Sequence, residues 1–198
     1  MITIGSKSSA SYLRPVYKTG WLMLPFVRRQ SVSIERQYTV YGIRFFDISV
    51  RTDRDKRTLI SCDGVTMTTF SVYEMFSFMN QRGNCTVHLT LDEKGYTPEA
   101  ENRFYVYCAN VEMMFPNVNF CGGYVTDRPE EPVYRFSYEK SRPRPVCYIS
   151  ALPTGAGFWR RLFHRVCPRI HAYIYNKRTI AAHAEENGVL LLDYVQYQ

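Results

Sequence analysis

The 198-residue chain lacks the long apolar segments that direct proteins into or across membranes. No run reaches the roughly 18 uninterrupted apolar residues of a membrane-spanning helix. A basic start followed by an apolar stretch is also lacking, because residues 1–5 have the pattern of a first strand and a loop. We therefore expect no transmembrane segment and no signal peptide, and a location in the cytoplasm or in an assembly such as a virus particle.

Closely spaced metal ligands are lacking as well. The six cysteines lie far apart with no C-x-x-C pair, and several fall in apolar runs, where a buried thiol packs well. A zinc site would need ligand pairs at short spacing, and a disulfide framework suits smaller secreted chains. We expect free cysteines in the core, no metal and no cofactor.

The composition is typical of one folded domain spanning residues 1–198. Apolar residues make up 45% and charged residues 22%, and 16 Tyr and 12 Phe supply large core side chains. The formal charge of +7 comes from arginine-rich clusters at residues 28–29, 51–57, 142–144 and 160–169. These clusters favour an anionic partner, although charge at any one of them is more often a solvated surface. Basic and aromatic residues are not interleaved as in a nucleic-acid module, so nonspecific nucleic-acid binding is the weakest alternative.

Strand and helix patterns alternate along the chain. Strands are predicted at residues 43–51, 58–62 and 86–92, and the clearest helix begins at Ser71 and ends at Gly83. In the first of these strands Phe46, Ile48 and Val50 share one face, whereas Asp47, Ser49 and Arg51 share the other. Alternation of this kind predicts an α/β fold with a parallel sheet. Eight strand-helix units need about 200 residues, so a small, incomplete (β/α)8 TIM-type barrel is expected.

The remaining segments are assigned as follows. We predict an irregular segment that follows the first strand and runs through Trp21 and Pro25 to Gln30, a helix capped by Ser31 and stopped by Gly42, a helix at 101–114 and a strand at 118–124. Further along, the pattern indicates a loop at 129–132, a strand at 145–150, a basic amphipathic helix at 158–165, a short strand or turn at 170–175, a helix at 179–187 and a final strand at 188–195.

Five short segments are distinctive when taken in order. They read GSKSS at 5–9, QSVSIERQ at 30–37, GIRFFDI at 42–48, DG at 63–64 and LDYV at 192–195. The specific part is residues 31–47, which combines a helix containing glutamine, a turn glycine and an Ile-Arg-aromatic-x-Asp strand. This order resembles the catalytic X-type domain of phosphatidylinositol-specific phospholipase C. The resemblance implies a barrel of the phospholipase C-like phosphodiesterase type.

The resemblance also implies which positions carried catalysis. The family's base histidine and the aspartate beside it match Lys7 and Ser8, and the arginine that neutralises the phosphate matches Ser49. The family's acid histidine, which precedes a glycine, matches Asp63.

Two acidic positions of the family remain. Asp47 keeps the strand aspartate, and Asp193 resembles a second acidic position at the barrel mouth.

These replacements are chemically unfavourable for the family reaction. A lysine ammonium cannot accept a proton at neutral pH, and a carboxylate has no proton to donate. Acid-base help is worth about 10² to 10⁴ in rate per group, and stabilisation of phosphate charge is often worth as much. We therefore expect a pseudoenzyme that serves as a binding or structural module. Its partner would be an anionic ligand, such as phosphate or an inositol phosphate head group, or a protein in a larger assembly.

Two alternatives stay open for these residues. Arg51 has the strand parity to reach a phosphate, and with Lys7 and His88 as compensating groups the chain would be an active phosphodiester hydrolase with rearranged residues. Alternatively, Lys7, Asp47, Asp63 and Asp193 form an ion-pair network that closes the barrel mouth.

Overall fold

The computed structural model describes residues 2–52, 58–67, 72–92, 97–141, 148–150 (backbone only) and 157–198. The strands are β1 (Ile2–Ser6), β2 (Phe45–Thr52), β3 (Thr58–Cys62), β4 (Val65–Thr66), β5 (Cys85–Leu91), β6 (Val118–Val125), β7 (Arg128–Pro132), β8 (Tyr148–Ser150) and β9 (Gly188–Leu192). The helices are α1 (Lys18–Val27), α2 (Ile34–Thr39), α3 (Val72–Arg82), α4 (Pro98–Met114), α5 (Ser137–Lys140), α6 (Phe158–Val166) and α7 (Pro168–Ala182).

One mixed sheet contains all nine described strands. Its main path runs β7-β6-β5-β2-β1-β9-β8, and every neighbouring pair from β6 to β8 is parallel. The parallel pairs confirm the predicted α/β architecture. Among the described residues the path begins at β7 and ends at β8, and no pairing joins these two strands into a closed ring. None of the described helices is both long and apolar enough to cross a bilayer.

The antiparallel pairing of β3 with β2 corrects one prediction. The alternating pattern predicts 58–62 as the next strand of a parallel unit, but β3 pairs with β2 in the antiparallel sense. Asp63 and Gly64 form the two-residue turn between β3 and β4, with φ of +48° and +84°. Positive φ at both positions is what this type of hairpin turn requires, and Asp-Gly is among the sequences that adopt it readily.

Several other predictions were wrong. The predicted irregular segment contains helix α1, the predicted loop at 129–132 is strand β7, and the predicted strand or turn at 170–175 lies inside helix α7. Ser33, not Ser31, caps α2, because its side chain accepts a hydrogen bond from the Arg36 backbone N–H. The final strand ends at Leu192, and α7 ends at Ala182, so the helix predicted at 179–187 is mostly absent.

The strands separate an apolar face from a polar one, as the alternation predicted. Phe46, Ile48 and Val50 are buried with residues of β5 and of helices α3 and α4 in the main core. The opposite face holds a small apolar cluster of Phe45, Cys121 and Val189 near the amino ends of the strands. Polar residues occupy the same face toward the carboxyl ends, and they define the candidate site.

Four of the cysteines are buried in the core, Cys121 among them. Cys62, Cys85 and Cys108 are free thiols with 2% exposure or less, and Cys167 is free and partly exposed. Cys147 lies outside the described residues.

Candidate functional site

Three polar pairs connect β2 to β5 toward the carboxyl end of the sheet. The register places Asp47 opposite His88 and Ser49 opposite Thr90. Their side chains are hydrogen-bonded, with 2.9 Å between Asp47 Oδ1 and His88 Nδ1 and 2.8 Å between the hydroxyl oxygens of Ser49 and Thr90. Arg51 follows the same parity and contacts Asp92, so a ladder of paired side chains fills this face. We call it the β2–β5 ladder.

The first pair of the β2–β5 ladder extends to β6. His88 Nε2 lies 2.8 Å from the Tyr124 hydroxyl oxygen, and the Ser8 backbone N–H donates to Asp47 Oδ2 at 3.1 Å. Burial alone raises the pKa of Asp47, but its surroundings outweigh this effect and lower the pKa overall. The lowering comes from the hydrogen bond and charge of His88, from the Ser8 N–H and from the Lys7 charge. Burial raises the pKa of Tyr124 to about 12, so its hydroxyl stays protonated at neutral pH.

A second cluster surrounds Arg29. Its guanidinium lies 3.3 Å from Asp63 Oδ2 and 3.4 Å from Asp193 Oδ2. The backbone N–H groups of Arg29 and Gln30 both donate to Ser11 Oγ, at 2.9 and 2.8 Å, which holds this segment beside β9. The arginine therefore bridges the β3–β4 turn and the residue that follows β9.

Asp193 also contacts a histidine from a distant helix. His164 Nε2 of α6 lies 2.8 Å from Asp193 Oδ2, and Asn176 of α7 donates to the Asp193 carbonyl oxygen at 2.8 Å. Burial alone raises the pKa of Asp193, but the hydrogen bond from His164 and the charges of Arg29, Lys7 and His164 lower it overall. Asp193 is thus a buried, ionised carboxylate held by two partners. We call Arg29, Asp63, Asp193 and His164 the Arg29 cluster.

His171 lies directly behind this histidine. The His164 and His171 ring centroids are 4.8 Å apart, and His171 is 3% exposed. Burial, followed by the charges of His164 and Arg160, lowers the pKa of His171 to about 4. His171 is therefore neutral at physiological pH.

Arg51 contacts Asp92 and Gly64. Its Nε donates to the Asp92 carbonyl oxygen at 2.8 Å, its Nη1 donates to the Gly64 carbonyl oxygen at 2.9 Å, and its Nη2 lies 3.7 Å from Asp92 Oδ1. Asp92 is itself held by Ser61 and by the Gly64 N–H. The guanidinium thus connects β2 to the β3–β4 turn, and the compensating role considered for Arg51 stays a prediction.

The predicted site residues come together only in part. Lys7 lies close enough to Asp47 and Asp193 for its charge to lower both pKa values, and Ser8 binds Asp47 through its backbone. Asp63 is on the hairpin turn, with its side chain 48% exposed. Ser49 contacts Thr90.

The ion-pair network considered for Lys7, Asp47, Asp63 and Asp193 needs a correction. The cation that joins two of the three carboxylates is Arg29, and Asp47 is held separately by His88.

Sequence reasoning missed Arg29, Tyr124 and His164 as members of the site. In the sequence, Arg29 stands out only as part of a basic cluster, and His164 only as part of an amphipathic helix. No periodicity or spacing connects residues 29, 164 and 193, so no local signal could have identified them.

No group of three His, Cys, Asp or Glu side chains that could hold a metal ion occurs among the described residues. The two histidine-carboxylate pairs, His88 with Asp47 and His164 with Asp193, are instead arranged for proton exchange or for structural ion pairing.

Comparisons with known proteins bear on the fold. No family model matches the sequence, and no curated protein matches it. The fold is similar to that of phosphatidylinositol-specific phospholipase C from Listeria monocytogenes, with a TM-score of 0.64 and 13% identity over 98% of this chain and 89% of that chain. A glycerophosphodiester phosphodiesterase from Agrobacterium tumefaciens str. C58 gives a TM-score of 0.40 and 10% identity over 100% of this chain and 99% of that chain. The chain therefore has the phospholipase C-like phosphodiesterase fold that residues 31–47 predicted, and this low identity shows the fold alone.

Proposed function

We propose that the chain is a catalytically inactive phospholipase C-like barrel retained as a structural and interaction module. One observation carries the proposal: two arginines and one histidine at the carboxyl end of the sheet that could clamp a phosphate or move a proton are already bound to other groups of the protein. Arg29 contacts two carboxylates, Arg51 contacts Asp92 and two carbonyl oxygens, and His88 lies between Asp47 and Tyr124.

Charge balance at this end of the sheet argues against a strong phosphate site there. Asp47, Asp63, Asp92 and Asp193 face three cations, Lys7, Arg29 and Arg51, in and beside the β2–β5 ladder and the Arg29 cluster. A phosphate dianion at Arg29 would have to displace Asp63 or Asp193, and displacement of Asp193 would leave a buried carboxylate without its guanidinium partner. An anionic partner, if there is one, is thus expected to meet the chain on another surface.

The positions that the resemblance assigns to catalysis also lack the required chemistry. Lys7 at the base position is a cation, and Asp63 at the acid position has its carboxylate paired with Arg29. Loss of acid-base help and of phosphate stabilisation would each slow the reaction by about 10² to 10⁴. Turnover of an inositol phosphodiester should therefore be too slow to detect.

A second candidate function is favoured by the two histidine-carboxylate pairs. His88 Nδ1 lies 2.9 Å from Asp47 Oδ1, and His164 Nε2 lies 2.8 Å from Asp193 Oδ2. A carboxylate hydrogen-bonded to an imidazole makes that imidazole a better proton acceptor. In this case the chain would be a phosphodiester hydrolase with rearranged acid and base residues.

One assay separates the two candidates. The purified protein is incubated with a chromogenic inositol phosphodiester, together with His88→Ala, His164→Ala and the control His183→Ala, whose ring contacts the Thr179 carbonyl oxygen in helix α7. We expect no turnover above buffer for any protein. Turnover that His183→Ala keeps and that His88→Ala or His164→Ala loses would establish the hydrolase and contradict the proposal.

A further inference from the structure

Large apolar side chains are exposed on two separate surfaces of the molecule. Of the 19 exposed large hydrophobic residues among the described segments, 13 lie in residues 16–26, 158–166 and 170–174, and five lie on helices α3 and α4. The first group belongs to α1 with its preceding turn, to α6 and to the first half of α7, and we call this surface the aromatic face. The second group consists of Tyr73, Tyr105, Val106, Met113 and Met114. Apolar concentrations of this kind on a folded chain mark interaction surfaces.

The two surfaces lie against different strands of the sheet. Helix α4 packs on β6, beside the β7 end of the strand path, whereas α7 packs on β9, beside the β8 end. Four strand spacings separate β6 from β9 along this path. Because neighbouring strands are about 4.8 Å apart, the two surfaces belong to distinct parts of the molecule. A single copy therefore cannot cover one surface with the other.

The two surfaces also carry opposite net charge. Residues 1–34 and 141–184 include all of α1, α6 and α7, and they contain 13 Lys and Arg residues but no Asp or Glu. Residues 97–132 include α4 and β7, and they contain six acidic and two basic residues. Four of these acids are exposed, namely Glu99, Asp127, Glu130 and Glu131. We call these four acids and the five exposed apolar residues of α3 and α4 the acidic face.

Helix α4 places apolar and acidic groups together on the acidic face. Its inner side packs in the main core through Phe104, Cys108 and Val111. Glu99, Val106 and Met113 follow one another at intervals of seven residues, so they lie along one side of the helix. Val106 is 49% exposed and Met113 75%. The outer surface of α4 is thus an apolar stripe that begins at a carboxylate.

Helix α6 has the complementary arrangement on the aromatic face. Trp159, Leu162 and Val166 recur at spacings of three and four residues, and all three are exposed. Arg161 and Arg165 are exposed on the adjoining side of the same helix. The opposite side is fixed to the sheet, with His164 Nε2 at 2.8 Å from Asp193 Oδ2. The apolar stripe of α6 therefore faces solvent with cations beside it.

We infer that copies of this chain associate head to tail, with the aromatic face of one copy on the acidic face of the next. This pairing covers both apolar surfaces and sets carboxylates opposite guanidinium groups. A symmetric contact between two aromatic faces would instead bring like charges together. Because the two faces differ, the contact is heterologous, and repeated association gives a closed ring or an open filament. The inference does not depend on whether the barrel is an enzyme.

Sedimentation velocity of the purified chain tests the inference directly. We expect a monomer at the lowest concentration and dimers and larger species as the concentration rises from about 1 to about 200 µM. The association should be weaker in about 0.5 M than in about 0.05 M NaCl, because salt screens the attraction between the two faces.

Variants that lose apolar area show which surfaces meet. Leu22→Ser with Trp159→Ser alters the aromatic face, and each side chain is more than three quarters exposed, at 79% and 77%. Val106→Ser with Met113→Ser alters the acidic face. Each double variant should associate with itself at least about tenfold more weakly than the unmodified chain. Val40→Ser is the control, because Val40 is 61% exposed and lies on neither face.

Mixing the two double variants distinguishes a head-to-tail contact from a symmetric one. One variant keeps an intact acidic face and the other keeps an intact aromatic face. Their mixture should therefore form a dimer and nothing larger, although neither variant associates alone. Circular dichroism confirms that each variant is folded.

Charge reversal gives an independent test of the same contact. Arg161→Glu with Arg165→Glu makes the aromatic face less basic, and Glu99→Lys with Glu130→Lys makes the acidic face basic. Either double variant alone should lose association, because its two faces then repel each other. A mixture of the two variants should regain it, because each altered face meets an altered face of opposite charge.

Several results would overturn the inference. A chain that stays monomeric over the whole concentration range at low salt would do so, as would a mixture of the charge-reversed variants that stays monomeric. Undiminished association of the Val106→Ser, Met113→Ser variant would show that the contact does not use the acidic face. Flotation of a monomeric chain with anionic lipid vesicles would assign the aromatic face to a different partner. An inactive result in the phosphodiester assay has no bearing on these outcomes.

Discussion

Replacement of Arg29 by methionine probes the Arg29 cluster most directly. The Arg29 side chain is 10% exposed and Asp193 is 4% exposed, so Arg29→Met leaves a buried carboxylate with the His164 hydrogen bond as its remaining side-chain contact. Breaking a buried pair by removing one partner costs about 3 to 5 kcal/mol, and His164 should limit the loss to the lower part of that range. We therefore expect the free energy of unfolding to fall by about 3 kcal/mol. For a chain of this size that loss corresponds to about 10 °C in Tm.

Asp63→Asn provides the matched control on the other side of the same guanidinium. Asp63 is 48% exposed, so its pair with Arg29 resembles a surface salt bridge, and its loss should cost less than about 1 kcal/mol. Urea unfolding followed by circular dichroism at pH 7 measures both variants. Arg29→Met should also raise the pKa of Asp193, because one of the charges that lower it is removed, and acid unfolding should then begin at higher pH.

The reasoning is refuted if Arg29→Met and Asp63→Asn cost the same, or if Arg29→Met costs less than about 1 kcal/mol. Either result would mean that Asp193 does not depend on Arg29 for its charge compensation. A double-mutant cycle with Asp193→Asn gives an independent check, because the two substitutions should be far from additive if the two side chains are paired as described.

Three further outcomes are expected. Because the pKa of His171 is lowered to about 4, the unfolded state binds a proton that the folded state excludes, and the free energy of unfolding should fall by up to about 3 kcal/mol as the pH decreases from 6.5 to 4. Urea midpoints measured across this pH range should fall less steeply for His171→Phe than for the unmodified protein. An unchanged slope would contradict the assignment. Gly123→Ala should destabilise the folded chain by more than about 3 kcal/mol, because φ is +73° and the new Cβ would collide with the Tyr134 carbonyl oxygen. Gly42→Ala is the matched control: φ is +67°, but the new Cβ meets no atom within 4 Å, so it should cost about 1 to 2 kcal/mol. Equal loss of thermal stability in the two variants would refute this. Burial, and then the charge of Asp63, raises the pKa of the Cys62 thiol far above its usual value. A maleimide reagent should therefore label the partly exposed Cys167 well before Cys62 in the folded protein. Peptide mapping of the labelled protein measures this order.

Local patterns in the sequence were sufficient for much of the fold. Alternation with a period of two correctly assigns Phe46 and Ile48 to the apolar face and Asp47 to the polar face, because strand geometry alone sends neighbouring side chains to opposite faces. Helix α3 and strands β5 and β6 were predicted within about two residues, except that Ser71, the expected cap of α3, lies outside the described residues. The segment at 31–47 also identified the fold correctly.

The pairing direction of strands and the contacts between residues far apart in the sequence could be determined only from the tertiary structure. Residues 58–62 have the strand pattern, but the pattern is the same for parallel and antiparallel pairing. Only five residues separate the end of β2 from the start of β3, which is too few for a parallel crossover, so β3 pairs with β2 in the antiparallel sense. Residues 170–175 alternate like a strand, yet they lie within helix α7, which packs on β9 and extends beyond both ends of that window.

In the candidate site, too, some features follow from local sequence patterns and others only from tertiary packing. The sequence determined which residues of β2 and β5 face the polar side, because that depends on strand parity alone. It did not determine that Arg29 meets Asp193, 164 positions away, or that His164 reaches the same carboxylate from α6. Those contacts depend on how α1 and α6 pack over the carboxyl end of the sheet, and a buried carboxylate acquires its cationic partners only when packing removes it from water.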